Sequence, residues 1–145
     1  MKKLGKSSKK GFTLVELIVV LVILAVLAAM LVPALVGYID RAKKEKEFQA
    51  ASTVYAAAQA LATEDYGKGN TLGGTNSVFT IAELEKLTGV DIDSATYTVK
   101  GSSTEMDKYT IATFAVSFDG TNWYTYTAGA STWDTATAGT GTAMT

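Results

Sequence analysis

From Phe12 to Gly37 the chain is apolar on every face except at Thr13 and Glu16. Once water is excluded from such a stretch, its backbone N–H and C=O groups must bond to one another, and only a helix or a closed barrel meets that demand. The segment Leu17-Ile18-Val19-Val20-Leu21-Val22-Ile23-Leu24 shows no alternation, so the pattern predicts a helix buried all round, in lipid or in a bundle. Glu16 breaks the pattern. A carboxylate in hydrocarbon costs about 2.5–3.5 kcal/mol on insertion scales and therefore demands a compensating partner. A cut between Gly11 and Phe12 would supply one, because a new α-ammonium would stand four residues ahead of Glu16. Within one helix, or between copies offset along a shared axis, that amine neutralises the acid.

The junction Lys9-Lys10-Gly11-Phe12-Thr13-Leu14-Val15-Glu16 resembles the processing motif of type IV prepilins and pseudopilins. The likeness is strong over residues 9–62 and only architectural beyond them. It implies that a prepilin peptidase/N-methyltransferase cuts after Gly11 and methylates the amine of Phe12. It also implies that Glu16 pairs with the N-terminal amine of an adjacent subunit and sets register. The partners so implied are further copies of the chain in a helical filament, an assembly platform with its ATPase, and the membrane before assembly. The implied precursor spans the cytoplasmic membrane once with its leader inside, and the implied product is a cell-surface pilus serving adhesion, twitching motility, aggregation or DNA uptake. The neighbouring alternative is a pseudopilin of a type II secretion or competence system.

Charge is distributed to suit that reading. The leader holds Lys2, Lys3, Lys6, Lys9 and Lys10 and no acid, and lysines flanking a span tend to stay cytoplasmic. The chain beyond Gly11 is acidic, with scattered lysines rather than the clustered Lys and Arg that phosphate binding needs, so no nucleic-acid partner is expected. The sequence contains no cysteine and no histidine, which removes disulfides, thiolate chemistry and the commonest general base. No enzyme activity, catalytic residue, cofactor or metal is expected. An ordinary secretory signal peptide is disfavoured by the length of the apolar run and by Glu16; a plain single-pass anchor leaves Glu16 unexplained. A monomeric membrane-anchored binding module would be indifferent to Glu16→Ala, and a carboxylate hydrolase has only scattered acids in its favour.

The expected fold is α+β, a long N-terminal helix packed on a small antiparallel sheet. The expected divisions are a cleaved leader (1–11), a membrane or fibre-core helix (12–37), its amphipathic continuation (38–63) and a head (64–145). Pro33, the single proline, deletes a helical N–H bond and predicts a kink or a melted turn. Beyond Gly37, Phe48, Ala51, Tyr55, Ala58 and Ala62 recur at three- and four-residue steps, with Val54 and Leu61 beside them, as in a helix lying on a sheet. The charged run 40–47 reads as a solvated collar.

Residues 64–77 read as a glycine-rich loop without a phosphate-binding pattern. Thr80 and Glu83 form a capping box for a short helix stopped by Gly89, with Ile81, Leu84 and Leu87 inward. Strands are expected over 95–100, 108–118 and 123–127, with Ala112, Phe114, Val116 and Phe118 on one face, and Phe114, Val116 and Phe118 against Val54, Tyr55 and Leu61. Asp119-Gly120-Thr121-Asn122 supplies a turn. Residues 129–145 read as an edge strand or a loose tail. Asp91, Asp93 and Ser94 place oxygens at calcium-like alternation, but the rest of such a motif is missing and turn chemistry explains them.

Overall fold

The computed structural model describes residues 11–101, 103–136 and 138–145. The expected leader, apart from Gly11, lies outside the described residues. Helix α1 runs over Leu14–Lys68. The chain divides into two compact units, one ending at Lys43 and the other beginning at Lys44, so α1 contributes to both.

In the first unit α1 is apolar on every face from Leu17 to Val36, with a mean hydropathy of 3.2 over the helix's most apolar 18 residues and none of that window buried within the chain. The helix continues unbroken through Pro33, so the melted turn expected there is absent.

The second unit is an α+β head. The sequence stripe on α1 is the one that is buried: Ala51, Val54, Ala58, Leu61 and Ala62 are almost fully covered. Burial of a side chain such as Val54 or Leu61 contributes about 1.5–3 kcal/mol. Helix α2 spans Ile81–Thr88. Among the described residues five strands complete the head: β1 (Ser94–Val99), β2 (Ile111–Ser117), β3 (Trp123–Thr127), β4 (Asp134–Ala136) and β5 (Thr142–Ala143). They form one sheet in the order β4-β3-β2-β1-β5, and every neighbouring pair is antiparallel. Phe114, Val116 and Ile111 lie in the core with the α1 stripe, and Tyr55 meets the Phe114 ring at 5.9 Å.

Several details depart from the sequence reading. Helix α1 ends at Lys68 rather than near residue 63, because Lys68 pairs with Glu64 at 2.5 Å one turn back and Asp65 gains partners from the loop beyond the helix. Gly69, at φ 69°, takes the left-handed conformation that stops the helix. The second strand begins three residues late, since Met106–Tyr109 forms a 3₁₀ turn. A register shift between Thr98 and Val99 pairs Val99 with Ile111 and leaves Ala112 as the extra residue. That bulge reverses the alternation at the start of β2, so Ile111 rather than Ala112 enters the core.

Leu87 is exposed, contrary to expectation. In an eight-residue helix the inward face is instead Ile81, Leu84, Glu85 and Thr88: Glu85 accepts the Ile92 N–H at 2.9 Å, and the Thr88 hydroxyl donates to the Leu84 carbonyl at 2.7 Å. Half of the capping box forms, with the Glu83 N–H donating to the Thr80 hydroxyl at 3.3 Å while the Glu83 carboxylate turns to Lys86. Gly89, at φ 67°, donates its N–H to the Glu85 carbonyl.

The C-terminal segment is neither one strand nor a loose tail. It supplies β4 at one edge of the sheet and β5 at the other. Thr140 accepts the Thr96 hydroxyl at 3.1 Å, Met144 is buried, and the Met144 N–H donates to Ala95. Between the two edges it presses its backbone at Gly139 against Trp123 and Thr96 on the face opposite α1.

Candidate functional site

Gly11, Phe12 and Thr13 precede the helix and have no regular structure. The Gly11–Phe12 bond is exposed, Phe12 being 84% accessible, and nothing lies within 4 Å of where a Gly11 Cβ would stand. A backbone outside the helix and uncovered is accessible to a peptidase that must seat a scissile bond.

Thr13 caps α1. Its carbonyl accepts the Leu17 N–H at 3.3 Å, and its hydroxyl accepts the Glu16 N–H at 3.3 Å. Glu16 reaches back: its Oε2 accepts both the Thr13 N–H at 2.8 Å and the Thr13 hydroxyl at 2.9 Å. This is a reciprocal capping box, in which a Thr and a Glu three residues apart satisfy each other's otherwise orphaned donors. The partially positive helix N-terminus favours the carboxylate as well. The Thr-x-x-Glu spacing was legible in the sequence at residues 13–16, yet the apolar surroundings drew attention to Glu16 as a stranded charge rather than as a cap.

The arrangement has one chemical consequence. Both Thr13 donors fall on Oε2, so they leave Oε1 to another donor. A cut after Gly11 removes neither donor, because the new amine belongs to Phe12. Glu16 can therefore hold its own helix start and also accept a cation through the same carboxylate. Pro33 lies farther along the same apolar helix and contributes no group to this junction.

In the head the sequence reading missed a second polar centre. Asp65 is fully buried at the end of α1. Burial alone would raise its carboxyl pKa, but the Ser77 hydroxyl, the Val78 N–H, the Asn70 amide and the Phe79 N–H hold it below the ordinary carboxylate value. Val78 donates at 3.0 Å and Asn70 at 3.1 Å, and the Ser77 hydroxyl also bonds to Asp65. The carboxylate thus fastens the glycine-rich loop to the helix. Gln59 plays a similar part, accepting the Ile111 N–H and donating to the Tyr109 carbonyl, both at 3.0 Å. Tyr124 bonds to Glu47, and burial followed by that carboxylate pushes the phenol pKa well above its ordinary value. Asp93 accepts the Ser94 hydroxyl at 2.8 Å beside Gly120, in keeping with turn chemistry.

Residues 6–32 match the family described as the prokaryotic N-terminal methylation motif. Neither the characterised proteins nor the solved structures searched gave a match.

Proposed function

From a precursor that carries the type IV pilin and pseudopilin signature at its N-terminus, we propose that the mature chain is the structural subunit of a type IV pilus filament. The observation that carries this reading is the junction itself. An exposed Gly11–Phe12 bond is followed by a helix whose first-turn carboxylate keeps one oxygen clear of its own cap. A membrane peptidase removes the leader after Gly11 and methylates Phe12, and a methylated amine stays protonated. That ammonium pairs with Glu16 of an adjacent copy.

The helices then leave lipid and pack against one another. Lipid tails are as apolar as leucine, so this exchange yields little net hydrophobic gain, and van der Waals packing with the ion pair supplies direction and register. An assembly platform and its ATPase provide the work of extraction. Softness at Pro33 lets the helix adjust as subunits pack. The role is assembly rather than catalysis, with the head turned outward for adhesion, motility, aggregation or DNA uptake.

Intact mass and N-terminal sequencing of the chain from cells test the processing, with a start at methylated Phe12 expected. A start at Met1, or within residues 34–37, overturns it. Immunogold electron microscopy tests the fibre: long surface filaments containing the chain are expected, and Glu16→Ala should abolish or sharply reduce them. A processed chain confined to the membrane and never seen in filaments would point instead to a pseudopilin.

A further inference from the structure

We infer that, in the membrane-anchored precursor proposed above, Glu16 does not lie in hydrocarbon. It sits in the inner headgroup layer, while Tyr38 and Arg41 dock on lipid phosphates of the opposite leaflet. This rests on the membrane reading and deepens it.

The argument is one of length. Leu17–Val36 is the stretch of α1 bounded by Glu16 on one side and by Gly37 and Tyr38 on the other. Its 20 residues rise about 30 Å at 1.5 Å per residue, which is the thickness of a typical hydrocarbon core. Nothing else in the first unit competes as a boundary: the next ionisable side chains after Glu16 are Tyr38, Asp40 and Arg41, all beyond Gly37. Placing the whole of 12–37 in lipid would bury a carboxylate that the apolar stretch is long enough to leave at the surface.

Each end is built for an interface. At the inner end the capping box gives the Glu16 carboxylate two donors within its own turn, and Lys9 and Lys10 precede it. At the outer end Tyr38 is 69% exposed and Arg41 is exposed one turn later. With Ala34 and Gly37 they line a hollow of about 180 Å³. An amphipathic ring at headgroup depth and a guanidinium with several donors match the ester and phosphate layer of a bilayer. Charge complementarity and span length together name the occupant as lipid headgroup rather than protein.

The full precursor, free of native cysteine, suits site-directed spin labelling in phosphatidylethanolamine/phosphatidylglycerol vesicles. Single cysteines at Leu14, Val20, Val26, Val32 and Ile39 would be read by collision with oxygen and with a water-soluble nickel chelate. The expected result is an oxygen maximum at Val26, the middle of the stretch, with Leu14 and Ile39 open to nickel. A label at Leu14 shielded from nickel and rich in oxygen overturns the placement of Glu16. Tyr38→Leu combined with Arg41→Leu should move the maximum at least two residues toward the C-terminus, and an unmoved maximum overturns the outer anchor. A chain with no nickel-shielded position has not inserted, and that result sinks the membrane reading itself.

Discussion

Replacing Asp65 with alanine removes the acceptor on which the loop between α1 and α2 is hung. Three donors bond to this buried carboxylate, from Ser77, Val78 and Asn70, and the Phe79 N–H lies close enough to favour its charge. Some find other partners after the substitution. The Asn70 amide keeps the Asn76 carbonyl at 2.8 Å, and the Phe79 N–H keeps the Ser77 hydroxyl at 3.0 Å. The Val78 N–H loses its acceptor at 3.0 Å. A buried donor left unsatisfied costs about 1–3 kcal/mol, and bonds to a charged group contribute about 1.5–3 kcal/mol each. Alanine returns a few tenths as the better helix former. The expected loss is therefore about 3 kcal/mol at pH 7, and about half that for Asp65→Asn, which keeps one oxygen.

The pH dependence gives a second check. The folded-state pKa of Asp65 lies below its unfolded value, so the carboxylate's contribution is complete above the unfolded pKa of about 3.9 and fades as pH falls through the folded value. The penalty for Asp65→Ala should shrink correspondingly in acid. Urea unfolding of the full chain in detergent, followed by fluorescence of Trp123 and Trp133, measures both, because the chain's two tryptophans lie in the head. A loss below about 1 kcal/mol at pH 7, against a typical buried-network value, would refute the reasoning. So would a penalty that stays the same at pH 2.

Gly139→Ala should lower the urea midpoint by the equivalent of about 1–3 kcal/mol, because the new Cβ would fall 2.4 Å from the Trp123 ring and 2.7 Å from the Thr96 hydroxyl; proteolysis of the C-terminal segment should accelerate in parallel. Tyr124→Phe should cost about 1 kcal/mol at pH 7. Since the Tyr124 pKa is raised by burial and by Glu47, its contribution is present below the free phenol's value of about 10 and is lost as pH rises toward the folded value; the variant's penalty should therefore diminish in strong alkali. Thr13→Val should weaken the first turn of α1 by about 1 kcal/mol, seen as faster amide exchange at Glu16 and Leu17 in detergent, with Thr13→Ser restoring protection.

The long helix and its buried stripe were legible because their signals are local and repeated. Ala51, Val54, Ala58, Leu61 and Ala62 declare one face through spacing alone, and the structure buries that face. Thr80 and Gly89 likewise mark the ends of α2 through cap chemistry that each residue carries by itself. The bulge at Ala112 was not legible. It depends on how β2 registers against β1, and a single extra residue there exchanges Ala112 for Ile111 in the core. Asp65 was hidden for a related reason: it continues the stripe one turn beyond Leu61 and Ala62, but the helix was expected to end near residue 63, and its donors come from residues 5 to 13 positions downstream. The C-terminal segment failed differently. Its threonines and alanines lack the apolar alternation that announces a strand, because it closes the two sheet edges through backbone pairing and one buried methionine.

The sequence reading took Glu16 at the N-terminal junction for a stranded charge and missed its cap on Thr13. If the precursor lies in the membrane as proposed, Glu16 needs no cation there, since Thr13 supplies two donors and the span beyond is long enough to leave the carboxylate at the surface. Under the proposed assembly the desolvation cost then arises at a later step, when the helix would leave lipid and the carboxylate would enter the middle of a fibre. At that step one oxygen is still held by Thr13, and the buried charge must either find a cation or take up a proton at a cost. An uncleaved copy offers a neutral amide at Phe12 and a lysine-rich leader where a cleaved copy offers an ammonium. On this reasoning Glu16 acts as a gate on the processed state as well as a register mark. Glu16→Gln should then admit uncleaved chains into mixed filaments more readily than the native residue does. Intact mass analysis of purified fibres from a strain with limiting peptidase measures that fraction, and equal exclusion of uncleaved chains by both residues would refute the gating argument.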